Sequence, residues 1–227
     1  MNNTLIVIPA FDEEATIEKV VLACKKFGKV LVVDDGSKDQ TSLVAEKAGA
    51  LVIISSINKG YDSALNLGYQ YALHNNFDVM ITIDADGQLP VDRLPFFIKD
   101  ISNGADIVVG VRSYLPRFCE KFLAIFSKSL LNLQDPYCGM KAYRLDFCLI
   151  KKIFSTYNSI GTDLALTIAL KGGFISNIPI SIKVRSDQSR FGNRIVSEFR
   201  LFPSMFFGIS RIVLHKLRLR NLFSKGV

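Results

Sequence analysis

Val79-Met80-Ile81-Thr82-Ile83-Asp84-Ala85-Asp86-Gly87-Gln88 is a strand-forming, mostly apolar run that breaks into two carboxylates and an amide. Such a run reads as a strand buried on both faces, and the acidic residues fall where it emerges into a loop. In an extended chain alternate side chains share a face, so Asp84 and Asp86 project the same way and Gln88 follows at the next such step. An all-oxygen set of this kind suits a hard divalent cation, Mg²⁺ or Mn²⁺, that shares its coordination with substrate phosphates. Asp and Gly are also ordinary strand-end residues, so the rest of the chain must decide between a metal site and a turn.

Outward from this stretch, strand-like runs at residues 5–8, 29–33, 51–54, 79–83 and 106–110 alternate with amphipathic helical patterns at 13–27, 41–48, 61–74 and 93–102. In the first helix Ile17, Val20, Val21 and Cys24 share a face. This alternation predicts an α/β fold, a doubly wound, mostly parallel sheet flanked by helices. Such sheets bind ligands at the carboxyl ends of their strands. The loops there are the polar ones: Pro9 to Glu14, Asp34 to Ser37, Asn58-Lys59-Gly60, Asp84 to Gln88, and Arg112-Ser113. Capping accounts for one of them, through Asp39 before its helix, but poorly for five. The first strand is not followed by G-x-G-x-x-G and there is no Walker loop, which argues against dinucleotide oxidoreductases and P-loop NTPases.

Beyond residue 110 the alternation loosens. Residues 118–133 read as a helix with Phe122, Ile125, Phe126 and Leu130 as its apolar face, followed by a turn from Asp135 to Lys141 into a short strand. A helix at 164–170 and a strand around Pro179 complete a domain spanning 1–194, with a tail at 195–227. The 227 residues suffice for one sizeable core. Although 49% are hydrophobic, no run approaches the roughly 20 apolar residues that span a bilayer. The start lacks a basic leader region, so a cytoplasmic protein is expected. The four cysteines have no metal-type spacing and read as reduced thiols, Cys24 in the core. His74 and His215 have no companions for a triad or a zinc site.

The net charge of +7 is unevenly spread. The first 110 residues hold nine Lys/Arg against fifteen Asp/Glu, and the remainder nineteen against six. The acidic half carries the metal candidates, and the basic half must face something anionic: nucleic acid, a phosphorylated substrate or a membrane surface. No recognised nucleic-acid module accompanies the charge, so no nucleic-acid partner is expected.

Two rivals share the central letters. Haloacid dehalogenase-type phosphatases end a strand in Asp-x-Asp-Gly but continue with Thr, where this chain has Gln88. Response-regulator receivers pair their Asp residues at the first strand, whereas Asp34-Asp35 end the second here. Taken together the loops resemble the inverting nucleotide-sugar glycosyltransferases of family 2, with the GT-A fold, and more closely the dolichyl- and polyprenyl-phosphate sugar synthase branch. The resemblance covers about residues 4–192. Pro9-Ala10-Phe11-Asp12-Glu13-Glu14 is similar to P-A-Y-N-E-E, and Val33 to Thr41 is similar to V-D-D-G-S-x-D-x-T. Asn58, Gly60, Ala64 and Gly68 match N-x-G-x-x-x-A-x-x-x-G, and Asp84 to Gln88 match the metal motif unchanged. Phe11 and Asp12 stand in place of Tyr-Asn, and Asp12 is suited to cap the helix that follows.

The resemblance implies that Pro9, Phe11, Glu13 and Asp35 line a nucleobase and ribose pocket beside Asn58, Lys59 and Gly60. Asp84, Asp86 and Gln88 would hold Mg²⁺ or Mn²⁺ and the donor diphosphate, Asp86 serving catalysis through the metal. Arg112 matches the arginine that meets an acceptor phosphate. Asp135, Gly139 and Lys141 match D-x-x-S-G-F-R, with Cys138 and Lys141 replacing Ser and Arg. Arg185, Ser189 and Arg190 resemble a late R-x-x-G-x-S-K loop that covers the diphosphate. The branch usually carries a further arginine in the helix at 118–133, where this chain offers Arg117, Lys121 and Lys128.

The implied partners are a UDP- or GDP-linked sugar donor and a polyprenyl phosphate acceptor. A phosphate monoester is already anionic and needs only positioning and charge stabilisation. A hydroxyl on a lipid-linked glycan, polysaccharide or lipopolysaccharide would need a base, for which Asp163 is the candidate, although it could equally cap its helix. A non-catalytic membrane-bound scaffold is the remaining alternative. The tail interleaves Phe199, Phe202, Phe206 and Phe207 with Arg194, Arg200, Arg211, Lys216, Arg218 and Arg220. It suits an interfacial helix on the anionic inner face of the cytoplasmic membrane, or packing on its own domain or on a second copy of the chain.

Overall fold

The computed structural model describes residues 3–148, 154, 159–183 and 194–224, with side chains of the last helix described from 198 to 217. Seven strands form one sheet: β1 (Thr4–Ala10), β2 (Lys29–Asp34), β3 (Leu51–Ile54), β4 (Val79–Thr82), β5 (Ile107–Arg112), β6 (Lys141–Arg144) and β7 (Ile175–Ile180). The helices are α1 (Ile17–Cys24), α2 (Thr41–Lys47), α3 (Tyr61–His74), α4 (Leu94–Ser102), α5 (Phe118–Leu131), α6 (Leu145–Cys148), α7 (Thr162–Leu170) and α8 (Arg194–Ser224). The strand order is β3-β2-β1-β4-β6-β5-β7, parallel except for β6, which runs antiparallel to β4 and β5. The doubly wound, mostly parallel expectation holds, with β6 as the inserted exception.

The strands are apolar because both faces are covered: Leu5, Ile6, Val7 and Ile8 of β1 and Val79, Met80 and Ile81 of β4 are essentially inaccessible. The chain moves outward through β1, β2 and β3 and then returns to place β4 on the other side of β1. That reversal leaves a crevice at the carboxyl ends of β1 and β4. The antiparallel register sets Thr82 against Lys141, so the residues following β4 run beside the turn that precedes β6. The Thr82 hydroxyl ties the two together by donating to the Gly139 carbonyl at 2.7 Å.

Three local expectations need correction. The first helix begins at Ile17, because Thr16 and Ile17 N–H groups close a turn onto the Glu13 carbonyl. Asp12 sits at φ +53, a left-handed conformation that Asp tolerates. Its carboxylate accepts from Lys38 N–H at 2.7 Å, cross-linking two loops rather than capping α1. In α5 the inward face is Cys119, Glu120, Leu123, Ala124 and Ser127, while Phe122, Ile125 and Leu130 are exposed. The pattern misleads because Glu120 and Ser127 are buried with partners: Glu120 faces two arginines, and Ser127 donates to the Leu133 carbonyl.

Helix α8 packs against α5 and α7, with Leu201, Met205 and Ile212 buried. The Glu198 carboxylate caps α5 by accepting from the Phe118 and Cys119 N–H groups at 2.5 and 3.0 Å. Phe199, Phe202 and Phe206 lie exposed on the other side of α8. No helix among the described residues is long and apolar enough to cross a membrane. All four cysteines are free and buried.

Candidate active site

The loops after β1 and β2 interlock through carboxylates held by backbone amides. Asp34 accepts from Ser37 N–H at 2.8 Å, and Asp35 accepts from Lys59 and Gly60 N–H at 2.9 and 2.6 Å. Gly60 takes φ +92, which a side chain would disfavour. Asp35 thus organises the Asn58-Lys59-Gly60 loop, whose Asn58 and Lys59 side chains are exposed. Pro9 is buried in β1, Phe11 is half-buried at the rim, and Glu13 is buried with its carboxylate accepting from the Thr16 hydroxyl at 3.0 Å.

Asp84 is clamped from two sides. The Tyr61 hydroxyl, at the start of α3, donates to one carboxylate oxygen at 2.6 Å. Across from it lies Gly139, where an added Cβ would stand 2.4 Å from the other oxygen. Burial, then the charge of Asp86, pushes the Asp84 carboxyl up to about 6. A buried carboxylate whose pKa is raised by a neighbouring carboxylate, at the end of a buried strand, fits a divalent cation. Among the described residues no group of three or more His, Cys, Asp or Glu gathers as a metal site; a cation here would have Asp84, Asp86 and Gln88 as its protein partners. The Gln88 side-chain amide donates to the Lys183 carbonyl at 3.0 Å, and the Gln88 backbone carbonyl accepts from Lys183 N–H. Gln88 therefore also ties the segment after β7 to this loop. Beside it a cleft of about 360 Å³ is lined by Thr16, Lys19, Asp86, Asp92 and Lys183.

On the other side the expected acceptor residues form a wall. Arg112 Nε and Nη2 grip both oxygens of buried Asp135, at 2.7 and 2.9 Å, and Nη1 reaches Glu120 at 3.3 Å. Arg117 shares Glu120 at 2.8 Å. Burial opposes the charge on Arg112, but Asp135 and Glu120 outweigh it and hold the guanidinium protonated. Lys141 is buried, and its ammonium donates to the Cys138 and Ile160 carbonyls at 2.5 and 2.9 Å. Burial lowers its pKa to about 8. Asp163, at the start of α7, is ion-paired to Arg211 of α8, whose other terminal nitrogen donates to the Thr167 hydroxyl at 2.8 Å. Arg185, Ser189 and Arg190 lie outside the described residues.

Residues 5–118 match the family model described as "Glycosyl transferase family 2". The chain belongs to that family. It is a nucleotide-sugar-dependent glycosyltransferase. Among its relatives, an undecaprenyl-phosphate 4-deoxy-4-formamido-L-arabinose transferase of Pectobacterium atrosepticum is 28% identical, over 100% of this chain and 72% of its own length. An uncharacterised protein of Methanocaldococcus jannaschii is 31% identical over 81% of this chain and 89% of its own. The fold is shared with glucosyl-3-phosphoglycerate synthase from Mycobacterium tuberculosis. Its complex with phosphoglyceric acid superposes with a TM-score of 0.68 at 17% identity, covering 90% of this chain and 80% of that one. Its complex with Mn²⁺ and UDP-glucose gives 0.67 at 19%, covering 83% and 73%.

In this family 2 enzyme the motifs located the rim residues, and the structure brings Asp84, Asp86, Gln88, Gly139 and Lys141 into one neighbourhood. Sequence reasoning missed Tyr61, Glu120 and Arg211. Tyr61 opens a helix and carries no local mark of a bond to a carboxylate 23 residues on. Glu120, three residues after Arg117, carried an i,i+3 pairing signal, but nothing local joined it to Arg112.

Proposed function

We propose that this glycosyltransferase moves a sugar, with inversion, from a UDP- or GDP-linked donor to a polyprenyl phosphate at the inner face of the cytoplasmic membrane. Residues 1–194 carry the chemistry and 195–227 the contact with the lipid surface. The observation that favours a phosphate acceptor is the Asp163–Arg211 ion pair. A hydroxyl acceptor needs a base, and the candidate base is engaged by a guanidinium; a phosphate monoester is already ionised near neutral pH. An acceptor oxygen bonds to the anomeric carbon from the face opposite the diphosphate as the carbon–diphosphate bond breaks.

Pro9, Phe11, Glu13, Asp35 and the Asn58-Lys59-Gly60 loop shape the nucleoside pocket in this reading. Asp84, Asp86 and Gln88 would hold Mg²⁺ or Mn²⁺, which neutralises the charge gathering on the departing diphosphate. Tyr61 and Gly139 keep Asp84 aimed at that position. Arg112, Asp135 and Lys141 keep the acceptor-side wall in register with the metal loop. The exposed phenylalanines of α8, with Arg200 among them, suit an interfacial helix.

The test is nucleoside diphosphate release from a panel of UDP- and GDP-sugars with Mg²⁺ or Mn²⁺, with and without undecaprenyl phosphate. Release stimulated by the lipid and abolished by EDTA is expected. Donor binding without lipid-stimulated release would transfer the reaction to a glycan hydroxyl and restore Asp163 as base.

A further inference from the structure

A cleft of about 230 Å³ opens between α7 and α8. Ser159, Thr162, Asp163 and Arg211 supply its polar wall, and Leu166 and Phe207 its apolar one. Gly208 puts no side chain into it: a Cβ there would stand 3.0 Å from a Leu123 methyl and 3.1 Å from a Leu166 methyl, so these leucine side chains pack directly on the α8 backbone. Arg211 lines this cleft with 37% of its side chain accessible, against 11% for Arg112 and 19% for Arg117. Those two arginines face buried carboxylates, and the Lys141 ammonium is enclosed by carbonyls. Arg211 has five N–H donors, of which Asp163 and Thr167 take one each, leaving an edge for a second anion.

The cleft is joined to the metal loop and to the outer surface. Thr162, on its α7 side, donates to the Pro136 carbonyl at 2.8 Å, and Gly139 of the same turn lies against Asp84. On its α8 side the Phe207 ring stands 6.0 Å from that of Phe206, which is exposed beside Phe202. Its α7 wall is thus tied to the turn that packs on Asp84, and its α8 wall leads to the apolar surface of that helix.

We propose that this cleft receives the acceptor, Arg211 binding its anionic phosphate head while Leu166 and Phe207 take the first units of its apolar chain. This rests on the polyprenyl phosphate reading above and adds a residue outside every motif in the sequence. Asp163 holds the guanidinium in place in the free enzyme, and the more highly charged phosphate monoester takes over the open edge.

Farnesyl phosphate, a short soluble probe, tests the site by equilibrium titration of the full chain, with farnesol and inorganic phosphate as the two halves of the ligand. Wild type is expected to bind farnesyl phosphate well above either half. Arg211→Gln is expected to weaken that binding by about tenfold with UDP-sugar affinity unchanged, and Arg211→Lys by less. The double variant Asp163→Asn/Arg211→Gln removes both charges of the pair and is expected to show the same loss. Recovery of binding in the double variant would reduce the pair to a structural contact and overturn the proposal. Inorganic phosphate binding as well as farnesyl phosphate would overturn the lipid assignment. Turnover on undecaprenyl phosphate at unchanged KM in Arg211→Gln would place the acceptor elsewhere while leaving the functional reading intact. No lipid-stimulated turnover by wild type would overturn both.

Discussion

The two flanks of the sheet's carboxyl edge hold their carboxylates by different means. On the flank of β1, β2 and β4 Asp12, Asp34 and Asp35 accept from backbone N–H groups, and Asp84 from the Tyr61 hydroxyl. On the flank of β5, α5 and α7 Asp135, Glu120 and Asp163 accept from arginines. A carboxylate gripped by neutral donors keeps its charge available to a cation, whereas one gripped by a guanidinium becomes part of a neutral wall. Charge counting along the chain suggested a basic half presenting cations to an anion. In the fold Arg112, Arg117, Arg144 and Arg211 spend charge on internal partners; accessibility separates Arg211 from Arg112 and Arg117, and its place in the cleft between α7 and α8 separates it from Arg144, which is similarly accessible.

This contrast is broken most directly where the wall is buried. Asp135→Ala takes from the buried Arg112 guanidinium its bidentate partner, leaving it only the Glu120 it shares with Arg117, and is expected to lower stability by about 3 kcal/mol, read from urea unfolding. Retention of wild-type stability would mean that Arg112 finds other partners and that the wall is not structural. On the β4 flank Asp86→Ala is expected to leave the unfolding midpoint nearly unchanged while turnover drops about a thousandfold, the several kcal/mol a cation supplies. Gly139→Ala sharpens the link between the flanks. Its methyl group must displace the Asp84 carboxylate, and cation affinity is expected to fall roughly tenfold with a smaller effect on folding.

Proton linkage gives a subtler measure. The Asp84 carboxyl is raised by burial from 3.8 to about 6, so between those values the native state holds a proton that the unfolded chain has released. Without a divalent cation, the Asp84 contribution to stability falls as pH rises through that window. Cation affinity rises over the same range and levels off above it, because binding displaces the proton. Tyr61→Phe removes a bond that lowers this pKa and is expected to move the midpoint of cation binding upward; a midpoint that stays put would free Asp84 from Tyr61. The smallest effect on folding belongs to the outer face. Phe122→Ser with Phe206→Ser is expected to change stability by less than about 0.5 kcal/mol per site while reducing sedimentation with anionic vesicles.

How much was legible follows from the range of the interactions. The alternation of strands and helices through residue 110 and the loops bearing Asp35, Asp84 and Asp86 are local patterns, set by burial periodicity and by where buried strands end. Helix α5 was located but turned the wrong way, because burial of Glu120 depends on Arg112, on a neighbouring strand. The insertion of β6 between β4 and β5 had no local mark either, yet it brings Gly139 against Asp84 and Lys141 beside Thr82.

The sequence by itself determined the alternating strands and helices through residue 110, the family and the loops that carry Asp35, Asp84 and Asp86, since each depends on residues close together in the chain. Only the tertiary structure decided which cations are consumed and which line a cleft. That choice depends on pairings such as Arg211 with Asp163, 48 residues apart, made by whichever helix faces the core and invisible to composition or spacing.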